Sequence, residues 1–117
     1  MKKLFIALAA VVFLAATPVL AAEYFSAVED LPLMEGMQED PSHAVVFDAP
    51  SGRIVDVAAT VGADPAHVSA FYKSSLPALG WTPSGKDVYH RNGEKLLLVT
   101  VKNGDATSVR IHISPAP

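Results

Sequence analysis

The stretch Asp64–Trp81, DPAHVSAFYKSSLPALGW, decides the fold because it contains the start, the apolar stripe and the end of one helix. Asp64 followed by Pro65 is typical of a helix start. The carboxylate accepts backbone amide protons, and proline suits the first helical position. Apolar side chains then recur at helical spacing: Val68, Phe71, Tyr72, Leu76 and Leu79. The stretch therefore predicts an amphipathic helix with one face in the core.

The end of this stretch predicts how the helix stops. Gly80 supplies a residue able to adopt the left-handed conformation, and Trp81 then falls where its ring packs over Leu76. Pro77 is the anomaly, because proline inside a helix removes a hydrogen bond, and a kink near the last turn is expected. A buried Trp81 would be a core residue, whereas a surface Trp81 would indicate a binding role.

Ahead of the helix, the segment Ala44–Thr60 predicts a β-hairpin. Two runs rich in β-branched residues flank Ala49-Pro50-Ser51-Gly52, which has the composition of a turn. A four-residue loop places Asp48 opposite Arg53, and an ion pair there contributes only about 0.2–1 kcal/mol.

This register gives the hairpin two apolar faces. Phe47 and Ile54 share one face, and Val46 and Val55 share the other. The helix can cover one of them. The apolar segment 31–37 is therefore expected to lie as a strap over part of the other.

The remainder of the chain predicts three strands joined by Asn-Gly turns. The strands are Asp87–Arg91, Glu94–Lys102 and Thr107–Ser114. At Asn103-Gly104 two registers remain open. A two-residue loop pairs Leu96 and Leu98 with Ile111 and Val109, and a three-residue loop with a bulge pairs Leu97 and Val99 with them instead.

These elements predict an α+β fold in the order β-β-α-β-β-β. Sequential hairpins without helical crossovers indicate an antiparallel sheet of about five strands, with one helix packed on one face. The predicted organisation is a signal peptide at 1–21, an N-terminal strap at 22–43 and the α+β domain at 44–114.

The first residues predict export. Lys2 and Lys3 precede the apolar run Leu4–Ala16, which is too short for a membrane span of about 20 residues, and cleavage is expected after Ala21 or Ala22. The chain has no cysteine, so no lipid-modified cysteine and no thiolate site is expected. We therefore expect a free periplasmic or secreted protein with no stable membrane span.

Charge limits the expected partners. After cleavage, seven basic residues face twelve acidic ones, a net charge of −5. Nucleic acids and anionic lipids need a basic surface, so neither is an expected partner.

The polar residues form no recognisable catalytic or metal motif. The histidines are isolated from one another: His43, His67, His90 and His112. The serines lack a nucleophile elbow, and no calcium-loop spacing occurs among the carboxylates. We therefore predict no catalytic residue, no cofactor and no metal site. The candidate pocket or interaction residues are Tyr72, Trp81, Asp48 and Arg53. Tyr72 and Trp81 are included because each combines an aromatic ring with a polar group.

The motif Phe71-Tyr72-x-x-x-Leu76-x-x-Leu79-Gly80-Trp81 resembles one found in small exported bacterial envelope proteins of uncharacterised role. The resemblance extends to the Pro32-x-x-x-Gly36 strap and to the FDxPxGRIV hairpin, and alphaproteobacterial envelope proteins look most similar. It implies the fold and export but no catalytic residues.

Together these observations predict a non-enzymatic periplasmic domain that binds a protein or another envelope component through one sheet face or edge. A small-ligand or metal-binding periplasmic protein is the alternative, followed by a small hydrolase. Ligand identity and oligomeric state stay open.

Overall fold

The computed structural model describes residues 23–116, and the predicted signal peptide with both of its cleavage points lies outside them. The helix α1 spans Pro65–Ser75. The strands are β1 (Gln38–Glu39), β2 (Val45–Ala49), β3 (Gly52–Val61), β4 (Thr82–Gly85), β5 (Val88–Arg91), β6 (Glu94–Asn103) and β7 (Ala106–Pro115). Within the described range, no helix is long and apolar enough to cross a membrane.

The structure confirms the α+β class, with one helix and one antiparallel sheet. The predicted five strands and their order are wrong, because residues 23–116 form seven strands. In space the order is β1-β3-β7-β6-β5-β4, and β2 pairs with β3 beside β1. Both missed strands have weak signals. β1 has two residues, and β4 contains Pro83 with a shift in register before Gly85.

Two hairpins form in the registers that the sequence predicts, although Ala49 pairs with Gly52 and the β2–β3 loop is Pro50-Ser51 instead of the predicted four residues. Asp48 lies opposite Arg53 in the β2–β3 pair. In the β5–β6 pair the turn is Asn92-Gly93, with φ angles of 47° and 76° that suit a type I′ turn. Local turn chemistry therefore sets both registers.

The β6–β7 hairpin turns one residue later than its Asn-Gly signal predicts. Asn103 pairs with Ala106, so the turn residues are Gly104-Asp105. Gly104 has a φ of 61°, which suits the first central position of a type II′ turn. The register places leucines opposite isoleucines, as Leu96–Ile113 and Leu98–Ile111. Both registers left open by the sequence are therefore wrong, although Leu96 and Leu98 do face the core.

Helix α1 begins where the sequence predicts, but Asp64 contributes its backbone carbonyl to the first turn and not its side chain. The Asp64 carbonyl accepts a hydrogen bond of 3.0 Å from the amide of His67. Its carboxylate makes no capping hydrogen bond and instead lies 3.3 Å from the Lys102 ammonium group. The predicted side-chain cap is therefore wrong.

The C-terminal end of α1 explains the anomalous proline. Pro77 begins a separate 3₁₀ turn, Pro77–Leu79, where its missing N–H leaves no helical bond unmade. Because α1 ends at Ser75, before the proline, the predicted kink within the helix is wrong. Gly80 follows with a φ of 93°, and the Trp81 amide donates a 3.1 Å hydrogen bond to the Leu76 carbonyl. The predicted stop at Gly80 is confirmed.

The strap packs on the same sheet face as α1, so the prediction that it covers the opposite face is wrong. Phe25, Leu31 and Met37 join the core that contains Tyr72. One helix is about 10 Å wide, whereas strands lie about 4.8 Å apart, so α1 covers roughly two strands. The strap shields the remainder of the wide sheet.

Candidate functional site

Of the four candidate residues, Tyr72 lies on the inner side of α1 and is buried completely in the core. Its hydroxyl donates a 2.8 Å hydrogen bond to the Pro32 carbonyl and lies 3.6 Å from the Met37 sulfur. Burial raises the pKa of Tyr72 far above its ordinary value, so the phenol stays protonated. The polar group of Tyr72 therefore holds the strap against the helix.

Trp81 is also in the core, with 3% of its surface exposed. The Arg91 guanidinium carbon lies 4.2 Å from the centre of the indole ring, within the range of a cation–π contact. Arg91 also donates hydrogen bonds of 2.7 Å to the Asp30 carboxylate and 3.0 Å to the Leu79 carbonyl. One arginine therefore connects the strap, the helix end and β5.

Asp48 and Arg53 lie opposite each other, but Arg53 makes its ion pair elsewhere. The guanidinium donates two hydrogen bonds to the Glu94 carboxylate, at 2.7 and 3.1 Å, and these bonds raise the pKa of Arg53. The Asp48 side chain is exposed at the surface. The structure thus places Tyr72 and Trp81 in the core and Arg53 in an ion pair at the sheet end.

The described residues contain no group of three His, Asp or Glu side chains placed to hold a metal ion. His43 is paired with the exposed Asp40 carboxylate. Hydrogen bonds from Ser42 and then from His43 lower the pKa of Asp40. On the sheet, the His112 ring lies 3.9 Å from the Asp56 carboxylate.

The face of the sheet opposite α1 and the strap is the first candidate surface, here named the open face. Alternation along the strands assigns the side chains of Phe47, Asp56, Val99, Val101 and Arg110 to it. Its largest exposed apolar groups are Phe47 at 58%, Val45 and Val101 at 54% each, and Val99 at 43%. These groups form two apolar patches, one on β2 and one on β6, separated by polar side chains of β3 and β7 such as Asp56 and Arg110. Exposed apolar patches are often interaction sites.

Charge on the open face is opposite in sign to that of the whole protein. Lys95 and Arg110 lie on it, and Asp56 is the one carboxylate at the open-face positions of the described strands. Asp56 is already neutralised in part, because Arg110 approaches it to 3.6 Å. The open face is therefore apolar and weakly basic, in a chain of formal charge −3.

The two edges of the sheet differ in how well they are protected from pairing with a strand of another chain. β4 carries Pro83 and a register shift, both of which discourage pairing with another chain. β2 presents Val45, Val46 and Phe47 in succession, each more than half exposed and without a charge among them. Within residues 23–116, β2 pairs with β3 alone. Apart from the exposed Asp48 near its end, its outer edge is therefore an unprotected template for strand pairing.

A groove of about 540 Å³ lies on the other side of the sheet, between α1 and the β4–β5 hairpin. Its lining includes Ala66, Ala70, Lys73, Pro83, Lys86 and Tyr89. Tyr72 and Trp81, the two aromatics that the sequence predicts as pocket residues, do not line this groove. Tyr89 gave no separate signal, because its alternation on a short strand predicts only a core position.

No protein-family model, curated protein or solved structure matches this chain. The apolar pattern on both faces of the hairpin was the one sequence signal for the open face. That pattern by itself favours burial under the strap, because the side on which the strap packs is not encoded locally.

Proposed function

We propose that this protein is a non-enzymatic binding domain of the bacterial cell envelope, exported by a cleaved signal peptide, which holds a partner protein on β2 and the open face. One observation carries the proposal: β2 exposes Val45, Val46 and Phe47 at 54%, 53% and 58% along an edge that has no proline, lysine or register shift. The sequence supports export, and the resemblance to small envelope proteins points the same way.

The mode of binding that fits this edge is strand addition. An extended segment of the partner pairs with the backbone of β2, and its alternate side chains meet Val45 and Phe47 on the open face. Backbone hydrogen bonds supply affinity without regard to sequence. The contacts to Phe47 then supply specificity, because aromatic side chains dominate interface energetics.

The chemistry of the open face defines the partner segment. Val99 and Val101 form a second apolar patch on β6, and Lys95 and Arg110 supply positive charge beside it. A segment that alternates apolar and acidic side chains is complementary to this arrangement.

Quantitative capture from envelope extract tests the proposal. We expect the unmodified protein to retain one partner, which Phe47→Ser and Val99→Ser lose about tenfold or more. Tyr24→Ser is the matched control, because Tyr24 is an exposed aromatic, at 46%, in the strap. Equal retention by all variants would contradict a role for the open face, and capture of a second copy of this chain would contradict a foreign partner.

A further inference from the structure

The groove between α1 and the β4–β5 hairpin has a chemistry of its own. Its walls are small or apolar: Pro65, Ala66 and Ala70 from the helix side, and Pro83 and Gly85 from β4. Its volume, about 540 Å³, falls within the range of about 300–1,000 Å³ that is typical of small-molecule sites. The groove and the open face lie on opposite sides of the sheet, so the two surfaces are independent.

Tyr89 gives this groove a polar group that the fold leaves unused. The residue is 3% exposed, yet its hydroxyl makes no hydrogen bond with any described residue. Within residues 23–116, Ser75 carries the one fully buried side-chain oxygen without a partner. The Tyr89 hydroxyl therefore opens to solvent, and Tyr89 lines the groove. Burial, and then the charge of Asp87, raises the pKa of Tyr89, so the phenol keeps its proton and can donate.

Two lysines complete a set of hydrogen-bond donors around the groove. Lys73 extends from the last turns of α1, and Lys86 lies in the turn between β4 and β5. Among the described residues, no carboxylate lies within 4 Å of either ammonium group, whereas Lys102 is paired with Asp64. Asp87 is the one acidic side chain of the lining, so the groove has a net charge of +1.

We propose that this groove binds a small organic anion with an apolar body, its carboxylate or phosphate head near Lys73, Lys86 and Tyr89 and its body along Ala66, Ala70 and Pro83. Ionised acceptors make the stronger hydrogen bonds with such donors. The apolar body gains free energy by leaving water against the small side chains. The inference stands apart from partner binding on β2 and does not rest on it.

Titration with decanoate and decyl phosphate, followed by amide chemical shifts, tests the groove. Binding with a dissociation constant of about 1 mM or tighter is expected, with shifts at Ala70 and Lys86, and decyl maltoside is expected to bind at least about tenfold more weakly. Vesicles of phosphatidylglycerol distinguish a soluble ligand from a lipid: binding of the free anions without binding to vesicles identifies a soluble ligand, and binding to both identifies a lipid head group.

Three variants locate the site. Ala70→Trp fills the groove from an exposed helix position, and the double variant Lys73→Gln, Lys86→Gln removes the positive charge. Each is expected to weaken decanoate binding about tenfold. Tyr89→Phe tests the free hydroxyl, and Lys95→Gln on the open face is the control, expected to bind as the unmodified protein does. Equal binding of the neutral detergent, unchanged binding in Ala70→Trp, or no binding of either anion would overturn the proposal.

Discussion

The Tyr72 hydroxyl donates a 2.8 Å hydrogen bond to the backbone carbonyl of Pro32, forty residues away in the chain. Both groups are buried, and the bond joins α1 to the strap across the centre of the core. The strap therefore belongs to the folded domain.

Tyr72→Phe is expected to lower the free energy of unfolding by about 1–3 kcal/mol, because the Pro32 carbonyl stays buried without its donor. Urea denaturation measures the change. Tyr24→Phe is the control, since Tyr24 is half exposed, and its effect should stay within about 0.5 kcal/mol. Equal effects at both positions would show that the bond adds nothing to stability.

Alkaline pH should destabilise the protein through its buried tyrosines. Burial raises the pKa values of Tyr72 and Tyr89 in the folded state, whereas an unfolded tyrosine ionises near pH 10. Above about pH 10 the unfolded state therefore binds fewer protons than the folded state does. The free energy of unfolding falls there by up to about 1.4 kcal/mol per pH unit for each such tyrosine. Below that pH these groups contribute no pH dependence.

Urea midpoints between about pH 8 and 11.5 test this linkage. In Tyr72→Phe, the free energy of unfolding should fall less steeply with pH above about pH 10, because one buried tyrosine no longer contributes. Near about pH 8 its pH dependence should match that of the unmodified protein. Superimposable slopes above pH 10 would mean that Tyr72 ionises equally in both states.

Arg91→Met should destabilise the fold by about 1–3 kcal/mol, because it removes hydrogen bonds to Asp30 and Leu79 and the cation–π contact with Trp81. Asp30→Asn should cost less than about 1 kcal/mol, since the Asp30 side chain is 46% exposed. Thermal and urea unfolding of the two variants give the comparison. Equal losses would assign the whole effect to the ion pair.

Trp81→Ala should cost about 3–5 kcal/mol, the range for removing a large side chain from a core. Trp81→Phe keeps a ring against Arg91 and should cost less. A urea midpoint unchanged by Trp81→Ala would show that the ring contributes no packing.

Local signals predicted the elements that depend on neighbouring residues. Pro65 and Gly80 marked the ends of the helical segment, and the turn residues between Ala49 and Gly52 gave the β2–β3 register. Where two turn types suit the same residues, the sequence alone does not predict the strand register. At Gly104 the turn shifts by one residue because glycine at the first central position suits type II′.

Long-range packing lay beyond such signals. The strap has apolar residues, but the side it covers depends on how wide a sheet forms, and two of the seven strands gave no clear pattern. For that reason the groove near Tyr89, and the fact that one apolar face stays uncovered, emerge only from the three-dimensional arrangement.

The most direct test of the central claim is site-specific photocrosslinking in the cells that produce the protein. A benzophenone amino acid at Phe47, on the exposed β2 edge, is expected to give a discrete adduct with one partner protein. The same probe at Tyr24, which is also an exposed aromatic, is expected to give none. Adducts at Tyr24 without any at Phe47, or no adduct at either position, would contradict binding through β2 and the open face.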